Sequence, residues 1–359
     1  MPEWYGFAVN VDAGKAMNPD VWETALTKGD RWRFNVCRLP FLFKAETSAG
    51  GVPAYTFTAV DAILTRMAAH GVKAVLDYHC IKQFPNNPKV GSQELIDGWK
   101  TVVQHYVNDG RIVAWEIANE PTSDLFASGV TTNLQKWNAI VALVNAIRTV
   151  DPVRPVVIPP SLFWGDSTVP GAVPPNCILS IHPYDYGTDP SWAALKKIAD
   201  YRISKAKAYA PLFSGVWCGE FEGHTSVTGI TPAQEQQYVV YMLNDCIANK
   251  RGFSLWKYNN ATDDGKLDQD AVIAATNYVI PAPADPCQPY KDQAATLQGQ
   301  LTALNNTVTG LNAEKAALSE IIGNQTDTIN VLDEQIDDLQ SLVVTLKAKM
   351  DTAKSWLTY

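Results

Sequence analysis

Two glutamates in short polar motifs are the residues of this sequence best suited to acid and base work. They are Glu120 in Ala118-Asn119-Glu120-Pro121 and Glu220 in Gly219-Glu220-Phe221. Other groups able to hold charge or to hydrogen-bond recur in motifs of the same kind: Arg38 before Leu39-Pro40, His79 in Asp77-Tyr78-His79, and His182 and Tyr184 in His182-Pro183-Tyr184. Trp256 adds a large flat ring. Each of these alone has a bland reading, since a loop Glu is usually solvated, a single His usually structural and a Trp usually core. Taken together they offer two carboxylates, a guanidinium, two imidazoles, a phenol and an amide, a set able to do acid/base work and to hydrogen-bond a polar substrate. Metal chemistry is not indicated. No His-x-His or clustered carboxylate motif is present, and six scattered cysteines form no Cys-x-x-Cys pair, so neither a metal nor another cofactor is expected.

The elements that must carry these groups follow from periodicity. Short apolar runs predict strands at 6–11, 34–40, 72–79, 112–119, 155–160, 178–184, 212–220 and 252–258. Amphipathic segments between them predict helices, among them 60–69, 94–107, 134–149, 191–208 and 232–248. Eight strand and helix alternations in a domain of this size predict a (β/α)8 barrel, with a doubly wound sheet as the other arrangement that periodicity allows. In a barrel, chemistry gathers at the C-terminal ends of the strands. The polar motifs above end six of the eight predicted strands, and three of the five histidines, His79, His182 and His224, fall at or just after such ends. One register shared by six strands makes the bland reading of each untenable.

In the order and spacing of these motifs, residues 4 to about 280 resemble glycoside hydrolase family 5, the endoglucanase and mannanase group of retaining (β/α)8 glycosidases. The resemblance implies that Glu120, in Asn-Glu-Pro on strand four, is the acid/base and that Glu220, in Gly-Glu-Phe on strand seven, is the nucleophile. It further implies that Arg38 and Tyr184 hold Glu220 charged and that Glu220 raises the pKa of Glu120. Asn119 is expected to bind the sugar 2-hydroxyl, His79 and His182 to bind hydroxyls beside the cleavage point, and Trp256 to floor the subsite of the cleaved sugar. Glu222, where many members carry Gly, departs from the pattern. The implied activity is retaining endo-hydrolysis of a β-linked polysaccharide of the β-1,4-glucan or mannan type. Phe41, Phe43, Phe163, Trp164, Tyr186 and Tyr258 are candidates for further sugar platforms or for core. Asp77 and Glu116 read as buried polar structure. A reading from another class is a non-catalytic carbohydrate-binding or adhesive fibre protein, such as a phage virion component, that keeps the barrel as scaffold.

Composition bounds the rest. Of 359 residues 46% are hydrophobic and 36 are aromatic, ample for a large core. A net charge of -8 argues against a nucleic-acid partner, and no apolar run is long enough for a membrane span. The start carries no readable export signal, although action on a polysaccharide predicts an extracellular setting. The cysteines read as free structural thiols. All but three aromatics precede the Pro-rich stretch 281–289, a predicted linker between the domain 1–280 and a tail 290–359.

In the tail, apolar residues recur at alternating steps of four and three from Leu297 to Leu357, broken only by Lys315 and Gln325. This heptad predicts a coiled coil that self-associates, and its branched first positions with Leu at the fourth favour a parallel dimer. Lys315 and Gln325 are compatible with a trimer. A helical hairpin turning at Gly323-Asn324 is the intrachain alternative.

Overall fold

Every predicted strand is realised, in a shorter form. A computed structural model describes residues 4–8, 16–46, 53–82, 84–159, 169–184, 189–221, 230–256, 269–279 and 288–357. The strands are β1 (Tyr5–Ala8), β2 (Val36–Phe41), β3 (Lys73–Tyr78), β4 (Ile112–Glu116), β5 (Val156–Ile158), β6 (Cys177–Ile181), β7 (Gly215–Phe221) and β8 (Phe253–Leu255). They pair in parallel and in sequence order, and β8 closes on β1, forming a closed barrel. The doubly wound alternative is thereby removed.

Helices α1 (Pro19–Gly29), α2 (Phe57–Ala69), α3 (Gln93–Tyr106), α4 (Asn133–Arg148), α5 (Trp192–Tyr209), α6 (Pro232–Ala248) and α7 (Gln269–Ala274) surround it. Among the described residues the β5 to β6 connection holds no helix. Asn18, Thr56, Ser92, Thr132, Ser191 and Thr231 cap α1 to α6 in turn, each side chain accepting a bond from a first-turn N–H that the helix leaves unpaired. Gln135 and Gln234 complete capping boxes on α4 and α6.

Strand periodicity of two divides the core. Cys37, Leu39, Phe41, Leu76, Tyr78, Trp115, Ile158 and Leu179 face outward and pack under the helices, against Leu64, Met67, Trp99 and their neighbours. Burying each large apolar side chain stabilises by about 1.5–3 kcal/mol. The alternate residues fill the barrel. Val36, Val75, Ala114, Val157, Ile178 and Trp217 pack with Trp4 toward its N-terminal end. Two residues further along β2, β3, β4 and β6 come Arg38, Asp77, Glu116 and Ser180, all fully buried. An apolar plug therefore supports a polar layer, and the strand ends lie above it.

The chain divides into two units, Met1–Pro283 and Ala284–Tyr359. The second carries one helix, α8 (Gln288–Leu357), about 105 Å long at 1.5 Å per residue. It runs without a break through Gly323 and Asn324, so the hairpin alternative is not adopted. Seam residues such as Leu301, Leu318, Ile329 and Leu339 are about half exposed along it. No described helix is long and apolar enough to cross a membrane.

Candidate active site

Arg38 organises the polar layer. Its Nε and Nη2 donate to the two carboxylate oxygens of Glu116 at 2.7 and 3.0 Å, a bidentate clamp across β2 and β4. With the fork fixed that way, Nη1 donates to Oε2 of Glu220 at 2.8 Å, and Nη2 also donates to Oδ1 of Asn119 at 2.6 Å. Oδ1 of Asp77 lies 3.1 Å from Nη2, a charge contact without a well-aligned hydrogen bond. Burial pushes the guanidinium pKa down. The charges of Asp77, Glu116 and Glu220 outweigh that, so Arg38 stays ionised. Glu116 moves the other way, because full burial and the nearby Asp77 raise its carboxyl despite Arg38.

Glu220 reaches this layer through a distortion of its strand. Trp217 faces into the barrel and Cys218 outward, so a regular strand would turn residue 220 outward as well. The β7–β8 register instead shifts between Cys218 and Phe221, and the irregularity re-aims Glu220 at Arg38. Tyr184, just beyond β6, donates its hydroxyl to Oε1 of Glu220 at 2.9 Å. Gly219 is required here, since a Cβ in its place would lie 2.2 Å from Oγ of Ser180 and 3.4 Å from Nε2 of His182.

Strand four ends at Glu116 rather than at Asn119, so Asn119 and Glu120 sit in the following loop. The backbone N–H of Asn119 bonds the carbonyl of Tyr78 and ties that loop to the end of β3. Glu120 is partly exposed, and its Oε1 lies 2.5 Å from Nδ1 of His182. Burial pushes the Glu120 carboxyl up, but the hydrogen bond and charge of His182, with His79 and Arg38 behind it, hold it below the usual range. This departs from the expectation that Glu220 would raise it. His182, fully buried, is lowered by burial and raised more by Glu220 and Glu120. One carboxylate oxygen each of Glu120 and Glu220 and a ring nitrogen of His182 all lie within 4.8 Å of one another. Among the described residues this trio alone has the side chains and closeness to ligate a metal. Its atoms already serve each other, Arg38 and Tyr184.

His79 follows β3. Its Nδ1 lies 2.7 Å from Oδ2 of Asp77, and its ring stacks on Trp256 with centroids 5.0 Å apart and planes 9° from parallel. Seven of the eight candidate residues therefore lie at or just past the C-terminal strand ends, whereas Arg38 lies within β2, three residues short of its end at Phe41. Phe41 and Phe43 do not join them. Phe41 is buried beside Tyr78 and Trp99, and Phe43 packs on Phe41, Tyr55 and Tyr78, so both belong to the packing under α3. Phe163, Trp164, Tyr186, Glu222, His224 and Tyr258 lie outside the described residues. Asp77 and Glu116 are buried polar structure as the sequence suggested, and what the sequence did not show is that Glu116 clamps Arg38.

Residues 3–262 match the family model for cellulase, glycosyl hydrolase family 5. The chain belongs to glycosyl hydrolase family 5. This family 5 domain is similar in fold to endoglucanase Cel5A of the hyperthermophile Thermotoga maritima, at 14% identity over 76% of this chain and 96% of that one, TM-score 0.57. The same enzyme solved with mannotriose matches at 15% identity over 76% and 96% of the two chains, TM-score 0.56. The cellulose synthase subunit Z of Clostridioides difficile matches at 16% over 76% and 99%, TM-score 0.56. No curated protein sequence matches the chain.

Proposed function

We propose that this family 5 protein hydrolyses a β-linked polysaccharide by retaining double displacement, with Glu220 as nucleophile and Glu120 as acid/base. The observation that carries the reading is the approach of the two carboxylates. Their oxygens lie within 4.8 Å, in keeping with the roughly 5 Å of retaining enzymes and short of the 6.5 Å or more that an inverting enzyme needs for its water.

Each neighbour then has a task. Arg38 and Tyr184 neutralise and aim the Glu220 carboxylate, so one oxygen faces the anomeric carbon. Attack forms a glycosyl ester on Glu220 and releases the leaving group, whose oxygen takes the proton from Glu120. Water, deprotonated by Glu120, then cleaves the ester and returns the original configuration. The proton held between His182 and Glu120 is the source for the first step, passing from the imidazole to the Glu120 carboxylate as the leaving-group oxygen takes up the proton of that carboxyl. With its oxygen committed to Arg38, the Asn119 amide offers its NH2 to the sugar 2-hydroxyl. Asp77 fixes the His79 ring, whose other nitrogen faces a sugar hydroxyl, and Trp256 supplies the apolar floor.

The substrate we infer is a β-1,4-glucan or mannan cut internally, supported by family membership and by similar structures that include an endoglucanase, one of them solved with mannotriose. The setting we infer is extracellular, where such polymers are met. A binding-only scaffold has no use for two carboxylates poised against each other. For the tail we infer a parallel dimer or trimer, because a seam of this length with Leu at most fourth positions is stable only when another copy covers it. A panel of soluble β-glycans assayed for new reducing ends, with products resolved by length, tests the activity: short oligosaccharides from one or more are expected, and none from any would refute it.

A further inference from the structure

Behind the site, two cysteines converge. Cys218 lies on β7 two residues before Glu220, and its side chain leaves the outer face of the barrel wall. Cys246, near the end of α6, enters the same apolar layer from the helix side. Neither is exposed at all, and their sulfurs are in direct contact at 2.7 Å. A disulfide needs two Cβ vectors that point at each other across neighbouring backbones. The two sulfurs already face each other between α6 and β7, and a bond of about 2.05 Å needs them to close by only a fraction of an ångström. Among the described residues, Cys37, Cys80 and Cys177, also buried, have no such sulfur contact.

We propose that Cys218 and Cys246 are a disulfide site, joined when the chain folds in the presence of a small disulfide oxidant of the glutathione class. One cysteine thiolate attacks a sulfur of the oxidant and expels one of its thiolates. The second cysteine thiolate attacks the mixed disulfide, forms the Cys218–Cys246 bond and expels the other. The protein loses two electrons and two protons, and the oxidant becomes two thiols. Burial fixes when this happens. Inside the closed layer the Cys246 thiol is held well above its usual pKa by its contact with Cys218 and by burial, so the reactive thiolate forms before the layer closes. Once made, the bond is out of reach of reductant until the barrel opens.

The bond would close a ring spanning 28 positions that contains Glu220, the segment after it and α6 as far as Cys246. Such a ring restricts the unfolded chain and stabilises the wall that carries Glu220, while leaving the polar layer inside the barrel untouched. This inference is independent of the sugar chemistry proposed above.

The test counts thiols in the full chain. Protein refolded in a reduced and oxidised glutathione buffer is denatured and alkylated with iodoacetamide. Trypsin leaves both cysteines in the single peptide 208–250, because no Lys or Arg lies between them. That peptide is expected unalkylated and about 2 Da lighter than its dithiol form, the two lost hydrogens, until a reductant is added under denaturing conditions. Cleavage after Glu220 should then give two peptides held together by the bond. The oxidised protein should melt several degrees above the reduced one with unchanged turnover, and Cys246→Ala should make Cys218 alkylatable. Alkylation of both cysteines in the refolded wild type, or a bond from either to a different cysteine, would overturn the proposal.

Discussion

Nδ1 of His182 stands 2.5 Å from Oε1 of Glu120, so the carboxyl we propose as acid/base shares a proton with a buried imidazole. A shared proton is released at a pKa belonging to the pair, at least as high as that of Glu120 alone. His182 is raised above its ordinary 6.5 by Glu220 and Glu120 against the pull of burial, and on the proposed mechanism the alkaline limb of activity should follow this pair. His182→Gln removes the second proton site, and the alkaline limb of kcat/KM is expected to move to lower pH. A pH profile with an unchanged or higher alkaline limb would show that the imidazole does not hold the reacting proton.

Much of this site is legible in the sequence because a barrel turns a linear pattern into a ring. Inward-turned residues at and beyond the C-terminal strand ends face the same opening, so His79, Asn119, Glu120, His182, Tyr184, Glu220 and Trp256 could be gathered without knowing one distance, and Arg38 joins them from within β2 through Glu220 and Asn119. What could not be read depends on contacts between strands. The shift in β7 that turns Glu220 inward arises from its pairing with β8, and strand parity alone would have faced Glu220 outward. The proton shared by His182 and Glu120 is likewise set by how closely two loops approach. Phe41 and Phe43 share the motif positions of sugar platforms, and only their packing under α3 assigns them to the core.

Replacing either carboxylate separates the two steps. Glu220→Gln and Glu120→Gln are each expected to lower turnover by about 10³-fold or more with the melting profile of a folded barrel retained. With an activated aryl glycoside, Glu120→Ala should keep the first step, and added azide should yield a β-glycosyl azide. An α-azide would reverse the assignment of roles.

Arg38→Lys keeps the charge but loses the fork that binds Glu116 and Glu220 together. A single ammonium cannot satisfy both, so Glu220 loses its alignment and Glu116 is left with a poorer partner in full burial. We expect kcat to fall about 100-fold with a smaller change in KM, accompanied by a lower Tm. Steady-state kinetics near the wild-type values would show that the bidentate clamp is dispensable.

The self-association proposed for the tail would set the number of barrels carried together. Light scattering is expected to give the full chain as a dimer or trimer, and a chain ending at Pro286 as a monomer that keeps its turnover on a soluble glycan. A monomeric full chain would leave the seam of α8 without the partner that its heptads specify.

The measurement that bears most directly on the catalytic account is the configuration of the first product. Proton NMR during hydrolysis of a β-linked oligosaccharide follows the anomeric signals before mutarotation mixes them. With the Glu120 and Glu220 oxygens within 4.8 Å, the β-anomer is expected to accumulate first. Early accumulation of the α-anomer would mean a single inverting displacement and would contradict the roles assigned to both glutamates.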